Sequence, residues 1–230
     1  MSDLDGLWLF NRLPAVEQSA LLQRTHRQKF AAGAFVYHAG QPGDTLYVIV
    51  KGRVAVLSPA VADAPLTLRI LGRGEAFGEL ALLTDSHRRT ATIQAIEPIE
   101  TLVLNREDFD ELRQRHPAVN DLLLASLSRL VERLSAQVAE MYECDGTTRI
   151  YRQIVRLGEL FEATDTDGVI PITQHQLASI AGVKLRLTNR VLGEAADGGM
   201  LSTGKRRIIV HDWPQVRRRS GLRTAAGPPA

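Results

Sequence analysis

Gly74-Glu75-Ala76-Phe77-Gly78-Glu79-Leu80-Ala81-Leu82-Leu83, followed after a short loop by Arg88-Arg89-Thr90-Ala91-Thr92, carries more chemistry than any other part of the chain. It sets glycines, a carboxylate and the start of an apolar turn ahead of an arginine and a hydroxyl. Glycine lets a backbone approach an anion closely, and the N–H groups of the following turn then point at it. Arg89 can add two parallel charged hydrogen bonds to phosphate oxygens, and Thr90 one more. Glu79 is anionic and suits a neutral hydroxyl, such as a ribose 2′-OH, rather than the phosphate itself. The pattern points to a bound sugar phosphate, with Gly78, Glu79, Leu80, Ala81, Arg89 and Thr90 as the binding residues.

Outward from this stretch the texture is that of short strands. Gly33, Gly40, Gly43, Gly52 and Gly72 punctuate β-prone runs, and Leu46–Val50 and Arg53–Leu57 flank Lys51-Gly52 as a two-residue hairpin signal. Leu66–Leu71, Ala91–Ile96 and Glu100–Leu104 add strands, which together predict a sandwich or barrel. Residues 7–25 read as a helix, and Ser58–Pro65 as a polar loop.

The order Phe-Gly-Glu-Leu-Ala-Leu-Leu, a loop, then Arg-Thr-Ala-Thr resembles the phosphate-binding cassette of cyclic-nucleotide-binding domains. That resemblance implies Arg89 on the cyclic phosphate and Glu79 on the ribose.

The 230 residues suffice for one large or two ordinary domains, and 44% hydrophobic with 23% charged residues describes a soluble globular chain. There is no apolar run of about 18 residues to span a membrane, and the acidic start Met1–Asp5 does not read as a secretory signal. One cysteine, Cys144, builds neither an internal disulfide nor a metal cluster. These features predict a cytoplasmic protein with no metal. The net charge of +2 hides an asymmetry. Residues 1–145 carry 15 Lys and Arg against 19 Asp and Glu, and residues 146–230 carry 13 against 7. A basic C-terminal part suits a polyanion partner.

Residues 118–143 read as one long helix with a heptad pattern. Leu124, Val131 and Val138 take the a positions, and Leu127, Leu134 and Met141 the d positions. Val at a with Leu at d favours a two-stranded coiled coil, hence a homodimer. Leu122, Leu123 and Leu130 form a second apolar face suited to packing on the β domain. Asp145-Gly146 breaks the pattern, and 147–162 resume as helix.

Thr173-Gln174-His175-Gln176 is a capping box. The helix it opens, a turn at Gly182 and a second helix over Lys184–Ala196 predict a helix-turn-helix with Leu177, Ala178, Ile180, Val183, Val191 and Leu192 inside. Lys184, Arg186, Thr188, Asn189 and Arg190 are placed on the outer face of the second helix, where Arg reads guanine and Asn adenine in a major groove. Two strands around Gly204 form a wing with Lys205 and Arg206 at its tip. Double-stranded DNA is the expected partner.

The order of β domain, long helix and winged helix-turn-helix resembles the CRP/FNR family of bacterial transcription regulators over about residues 7–212. The expected class is therefore α+β: a cyclic-nucleotide-binding β jelly roll over 1–117, a dimerisation helix and hinge over 118–145, a winged helix-turn-helix over 146–216, and a basic disordered tail over 217–230. The resemblance implies a non-enzymatic regulator controlled by cyclic AMP, binding a palindromic site as a homodimer and contacting RNA polymerase. It departs from the family at two places. On the long helix a Thr-Ser pair that contacts adenine is replaced by Leu134-Ser135, leaving Ser135 as the base contact. On the second reader helix Leu185 and Arg186 replace an Arg and a Glu, so the DNA site differs and only Arg190 carries over directly. Cyclic GMP, another nucleotide or haem stay open as effectors, with His38, His87 and Cys144 as haem ligands by type only. The iron–sulfur branch needs more cysteines. The six histidines lack the spacing of a metal-dependent phosphodiesterase.

Overall fold

The computed structural model describes residues 15–59, 66–165 and 167–222. The expected helix over 7–25 is seen as α1 (Ala15–Arg24), its first part lying outside the described residues, as does most of the loop expected at 58–65. The chain divides into two compact units, Met1–Arg133 and Leu134–Ala230.

The first unit holds two antiparallel four-stranded sheets. One runs in the order β1 (His26–Phe30), β8 (Ile99–Asn105), β3 (Thr45–Lys51), β6 (Ala76–Phe77); the other runs β2 (Phe35–Tyr37), β7 (Thr92–Ala95), β4 (Val54–Leu57), β5 (Thr67–Leu71). The period of two along β3 divides its side chains between two cores. Leu46, Val48 and Val50 pack with Leu102, Leu104, Phe109, Leu112, Val119 and Leu123, the last four from helices α3 (Arg106–Arg115) and α4 (Pro117–Glu143). Tyr47 and Ile49 pack with Val54, Val56, Leu71, Phe77 and Ile93, the core that the two sheets share. A strand covered on both faces reads as a continuous apolar run, which is why Leu46–Val50 shows no alternation.

Lys51-Gly52 corrects one expectation. It joins β3 to β4, which belong to different sheets and do not pair. The chain turns a corner there. Gly52 has φ of 81°, and a Cβ would stand 2.4 Å from the Pro98 carbonyl oxygen, so the corner needs glycine.

Helix α4 runs unbroken through the heptads. Val119, Leu122 and Leu123 are buried, whereas Leu124, Val131, Leu134, Val138 and Met141 are exposed, Val131 at 62% and Leu134 at 52%. Asp145 ends the pattern and caps α5 (Gly146–Leu160) by accepting from the Thr148 N–H at 2.9 Å.

In the second unit, Ile150, Tyr151, Ile154, Val155 and Leu157 of α5 are buried. Thr173 and Gln176 form the expected capping box of α6 (Gln174–Ile180). Gly182, at φ of 62°, makes the turn into α7 (Leu185–Asp197). Strands β10 (Leu201–Gly204) and β11 (Arg207–Val210) form the wing, and β9 (Gly168–Ile170) pairs with β11. His211 hydrogen-bonds Asp167 and, at 3.0 Å, Ser202, so the surface placement of His211 joins the wing to the loop before β9.

The expected tail from 217 onward is a second correction. Helix α8 (Trp213–Ser220) includes Arg217, Arg218 and Arg219; Asp212 caps it, accepting from the Gln215 N–H, and Gly221 ends it in the left-handed region. Trp213, Val216 and Ser220 are buried. The remaining tail, 223–230, lies outside the described residues.

Candidate functional site

The cassette is built against β3. The Gly74 N–H donates to the Ile49 carbonyl, and the Ile49 N–H to the Glu75 carbonyl, each at 2.9 Å. Gly78 (φ 90°) then turns the chain into α2 (Glu79–Leu83), whose first N–H groups have no partner within the helix.

Arg89 is 5% exposed, far less than a solvated loop arginine would be. Its Nη1 donates to the carbonyls of Thr45 at 2.8 Å and Gly78 at 3.2 Å, and its Nη2 donates to Thr45 Oγ1 at 2.6 Å. The guanidinium lies 4.2 Å from the centroid of the Tyr37 ring. These contacts fix the side chain before any ligand arrives. Nε is buried with no hydrogen-bond partner among the described residues, an unmet donor at the wall of the cleft. Two glycines make room for this arrangement. A Cβ on Gly78 would lie 2.5 Å from Arg89 Nη1, and one on Gly43 would lie 2.8 Å from Arg89 Nε.

Gly78, Glu79, Leu80, Ala81, Arg89 and Thr90 all line one cleft of about 370 Å³, together with Tyr37, Arg69, Phe77 and Ile93. The structure thus brings together every cassette residue expected from the sequence. Glu79 sits in low dielectric, so burial pushes its carboxyl up, with its own backbone N–H, Arg69 and Arg89 opposing the shift. Arg106 holds the cassette from behind, its Nη2 donating to the carbonyls of Gly43 at 2.9 Å and Ala81 at 3.0 Å. Tyr37, Gly43, Thr45, Arg69 and Arg106 were not expected. They come from distant strands and turns and carry no local signal. Ser135 lies on the exposed surface of α4.

In the second unit the helix-turn-helix leaves Lys184, Arg186, Asn189 and Arg190 exposed, as expected, with Lys205 and Arg206 exposed at the wing tip. Thr188 does not share their face. It is 0% exposed, set on the inner line of α7 with Val191, Leu192 and Ala195. Helical spacing explains the correction, because Thr188 stands three residues before Val191 and four before Leu192. Leu185 is exposed on the outer face instead. Among the described residues Arg190 reaches only Glu194, at 4.0 Å, so its guanidinium stays available.

Two further residues tie α4 to this reader. Arg149 donates to the carbonyls of Cys144 at 2.8 Å, Met141 at 3.3 Å, Ala181 at 3.1 Å and Gly182 at 3.2 Å, joining the end of α4 to the turn before α7. Glu140, buried on α4, accepts from Arg152 and Arg156 of α5 at 2.9 Å each. Burial pushes its carboxyl up, but the two arginines outweigh this and hold it below the ordinary glutamate value.

Residues 27–116 match the cyclic nucleotide-binding domain family, and residues 148–219 the Crp-like helix-turn-helix domain family. Over 192 residues the chain is 31% identical to the cAMP-activated global transcriptional regulator CRP of Pasteurella multocida, an overlap covering 83% of this chain and 92% of that one. The chain belongs to the CRP/FNR family. It is a DNA-binding transcription regulator with a cyclic nucleotide-binding domain. A second CRP/FNR relative, the cyclic AMP receptor protein of Thermus thermophilus, is 29% identical over 91% of this chain and 94% of its own. The fold matches the c-di-GMP responsive global regulator CLP of Xanthomonas campestris at a TM-score of 0.74, with 22% identity, covering 86% of this chain and 99% of that one. These CRP/FNR relatives are transcription regulators, not enzymes, in agreement with the sequence. No helix among the described residues is long and apolar enough to cross a membrane.

Proposed function

We propose that this CRP/FNR regulator is a cytoplasmic homodimer that binds a palindromic DNA site under the control of a cyclic purine nucleotide. The observation that carries the proposal is Arg89: buried, pre-oriented by Thr45, Gly78 and Tyr37, and left with an unmet donor at the cassette cleft. The cyclic phosphate accepts from Arg89, Thr90 and the amides following Gly78, and the ribose 2′-OH donates to Glu79. Cyclic AMP is one reading, supported by relatives that respond to it, and Ser135 is then proposed as a base contact. A second reading, cyclic GMP, is favoured by the position of Arg69. The outer face of α7 enters the major groove through Arg186, Asn189 and Arg190, while Lys184, Lys205 and Arg206 hold the backbone. RNA polymerase is the expected further partner.

A hydroxyl donating to Glu79 favours the ionised carboxylate. Because burial raises the pKa of this group above 4.5, acidification protonates it before an ordinary glutamate. Nucleotide affinity is therefore full above the raised pKa and falls as pH drops through it. Calorimetric titrations across the acid range should show this decline, and Glu79→Gln should flatten it while weakening binding throughout.

The exposed stripe Leu124, Val131, Leu134, Val138 and Met141 supports the dimer, since a coiled coil covers such a stripe. Val131→Lys combined with Leu134→Lys puts two charges on the seam of each chain. Analytical ultracentrifugation should show monomers, with palindrome binding weakened by at least about a hundred-fold, as one half-site contact is lost. A persisting dimer would refute the heptad reading.

A further inference from the structure

Arg69 projects from β5, where it pairs across the sheet with Val56. It is partly buried, and its guanidinium makes no hydrogen bond to any described residue. Its position is unusual in a second way. Beside the cassette cleft lies another of about 550 Å³, open to solvent, between the cassette and the middle of α4; Arg69 and Glu79 line both. Arg129, Arg133 and Glu75 line this second cleft, and Glu75 pairs with Arg133 at 3.8 Å. Burial pulls the Arg69 pKa down, while Glu79 and Glu75 raise it and Arg133 lowers it further. The side chain nonetheless stays cationic, as guanidinium does in proteins. Its donors face the two clefts and are free to pair with acceptors of a bound ligand.

A ligand seated as proposed above leaves the contact between its base and the β domain unassigned. Its phosphate lies at Arg89 and its ribose at Glu79, so the base leaves the ribose at the wall that the two clefts share. There the base meets Arg69. Guanine presents O6 and N7 as adjacent acceptors, which match the two parallel N–H groups of a guanidinium. Adenine presents N7 beside the N6 amino group, a donor facing a donor. Glu75 adds a carboxylate to the same cleft, suited to the N1–H and N2–H groups of guanine.

We infer that Arg69 selects the base of the effector, and that this chain responds to cyclic GMP in preference to cyclic AMP. The inference rests on the cyclic-phosphate and ribose contacts of the proposed function and concerns the base alone. A bidentate arginine pair discriminates between bases by roughly ten- to a hundred-fold.

The test is calorimetry on the full chain with three probes: cyclic GMP, cyclic AMP and cyclic di-GMP. Wild type should bind cyclic GMP about ten-fold or more tightly than cyclic AMP. Arg69→Ser should bring the ratio near one by weakening cyclic GMP alone. Arg69→Lys, which keeps the charge and loses the fork, should also narrow the ratio, and it serves should the serine variant fold poorly. Tighter binding of cyclic AMP by wild type, or a ratio that neither variant changes, would overturn the selection by Arg69 while leaving the phosphate cradle standing. Preference for cyclic di-GMP would overturn it too, assigning the arginines to a second phosphate. If no probe binds, the proposed function itself fails.

Discussion

Arg89→Ala should weaken cyclic-nucleotide binding by at least about a hundred-fold. Two charge-assisted bonds to a phosphate are worth about 1.5–3 kcal/mol each, and each 1.4 kcal/mol is about ten-fold in affinity. The wild-type side chain reaches this value because its orientation is fixed in advance by the Thr45 and Gly78 oxygens and the Tyr37 ring. Little entropy is lost on binding. Alanine also frees the Thr45 and Gly78 carbonyls, so Arg89→Lys is the companion variant. Lysine keeps a charge near the phosphate but cannot reproduce the fork, and its affinity should fall between the two. Calorimetric titration reads the affinity, and thermal unfolding without ligand reads the fold. Undiminished affinity in Arg89→Ala would remove the site from this cleft.

Gly158→Ala should destabilise the second unit by about 3 kcal/mol. Gly158 lies on the buried face of α5, and a Cβ there would stand 2.1 Å from the Trp213 ring. The ring cannot step aside easily, since it is buried and its Nε1 donates to the Asp165 carbonyl at 3.0 Å. The methyl group therefore forces α8 off α5. Gly193→Ala is the control. Beyond its chain neighbours and its own helix backbone, no described atom lies within 4 Å of its Cβ position in α7, and relief of glycine's helical cost should stabilise by about 0.5–1 kcal/mol. Urea unfolding followed by Trp fluorescence reads both. Equal stability of Gly158→Ala and wild type would contradict the seating of Trp213.

The phosphate half of the site is legible in the sequence because it is local. Gly78, Glu79 and Arg89 lie within one turn, one short helix and the loop after it, so spacing alone places them. Thr45, Tyr37 and Arg69 became part of the site only through sheet pairing that no short window displays. The strand run Leu46–Val50 was legible as β, but its partner was not. A glycine after a charged residue marks a tight turn whether the chain folds back in one sheet or crosses to another. The helix at Trp213–Ser220 was hidden by its arginines, read as a solvated charge run. Its Asp212 cap, Pro214 in the first turn and Gly221 stop were nonetheless present. Thr188 is polar and stands among exposed polar neighbours, which suits the outer face expected for it, while the period of α7 puts it inside.

On the proposed function, occupancy of the Arg89 cleft controls DNA binding by the reader. Arg149 and Glu140 provide the physical join, since both fasten the end of α4 to the reader's own elements. The direct test is fluorescence anisotropy at fixed salt, on a palindromic duplex selected from a random pool by the wild-type protein. Titrations are run with and without saturating cyclic GMP and cyclic AMP. A coupling of about 1–3 kcal/mol predicts DNA affinity at least about five-fold tighter with nucleotide in wild type, and no change in Arg89→Ala. Equal wild-type affinity with and without either nucleotide would mean that the cleft does not control the reader.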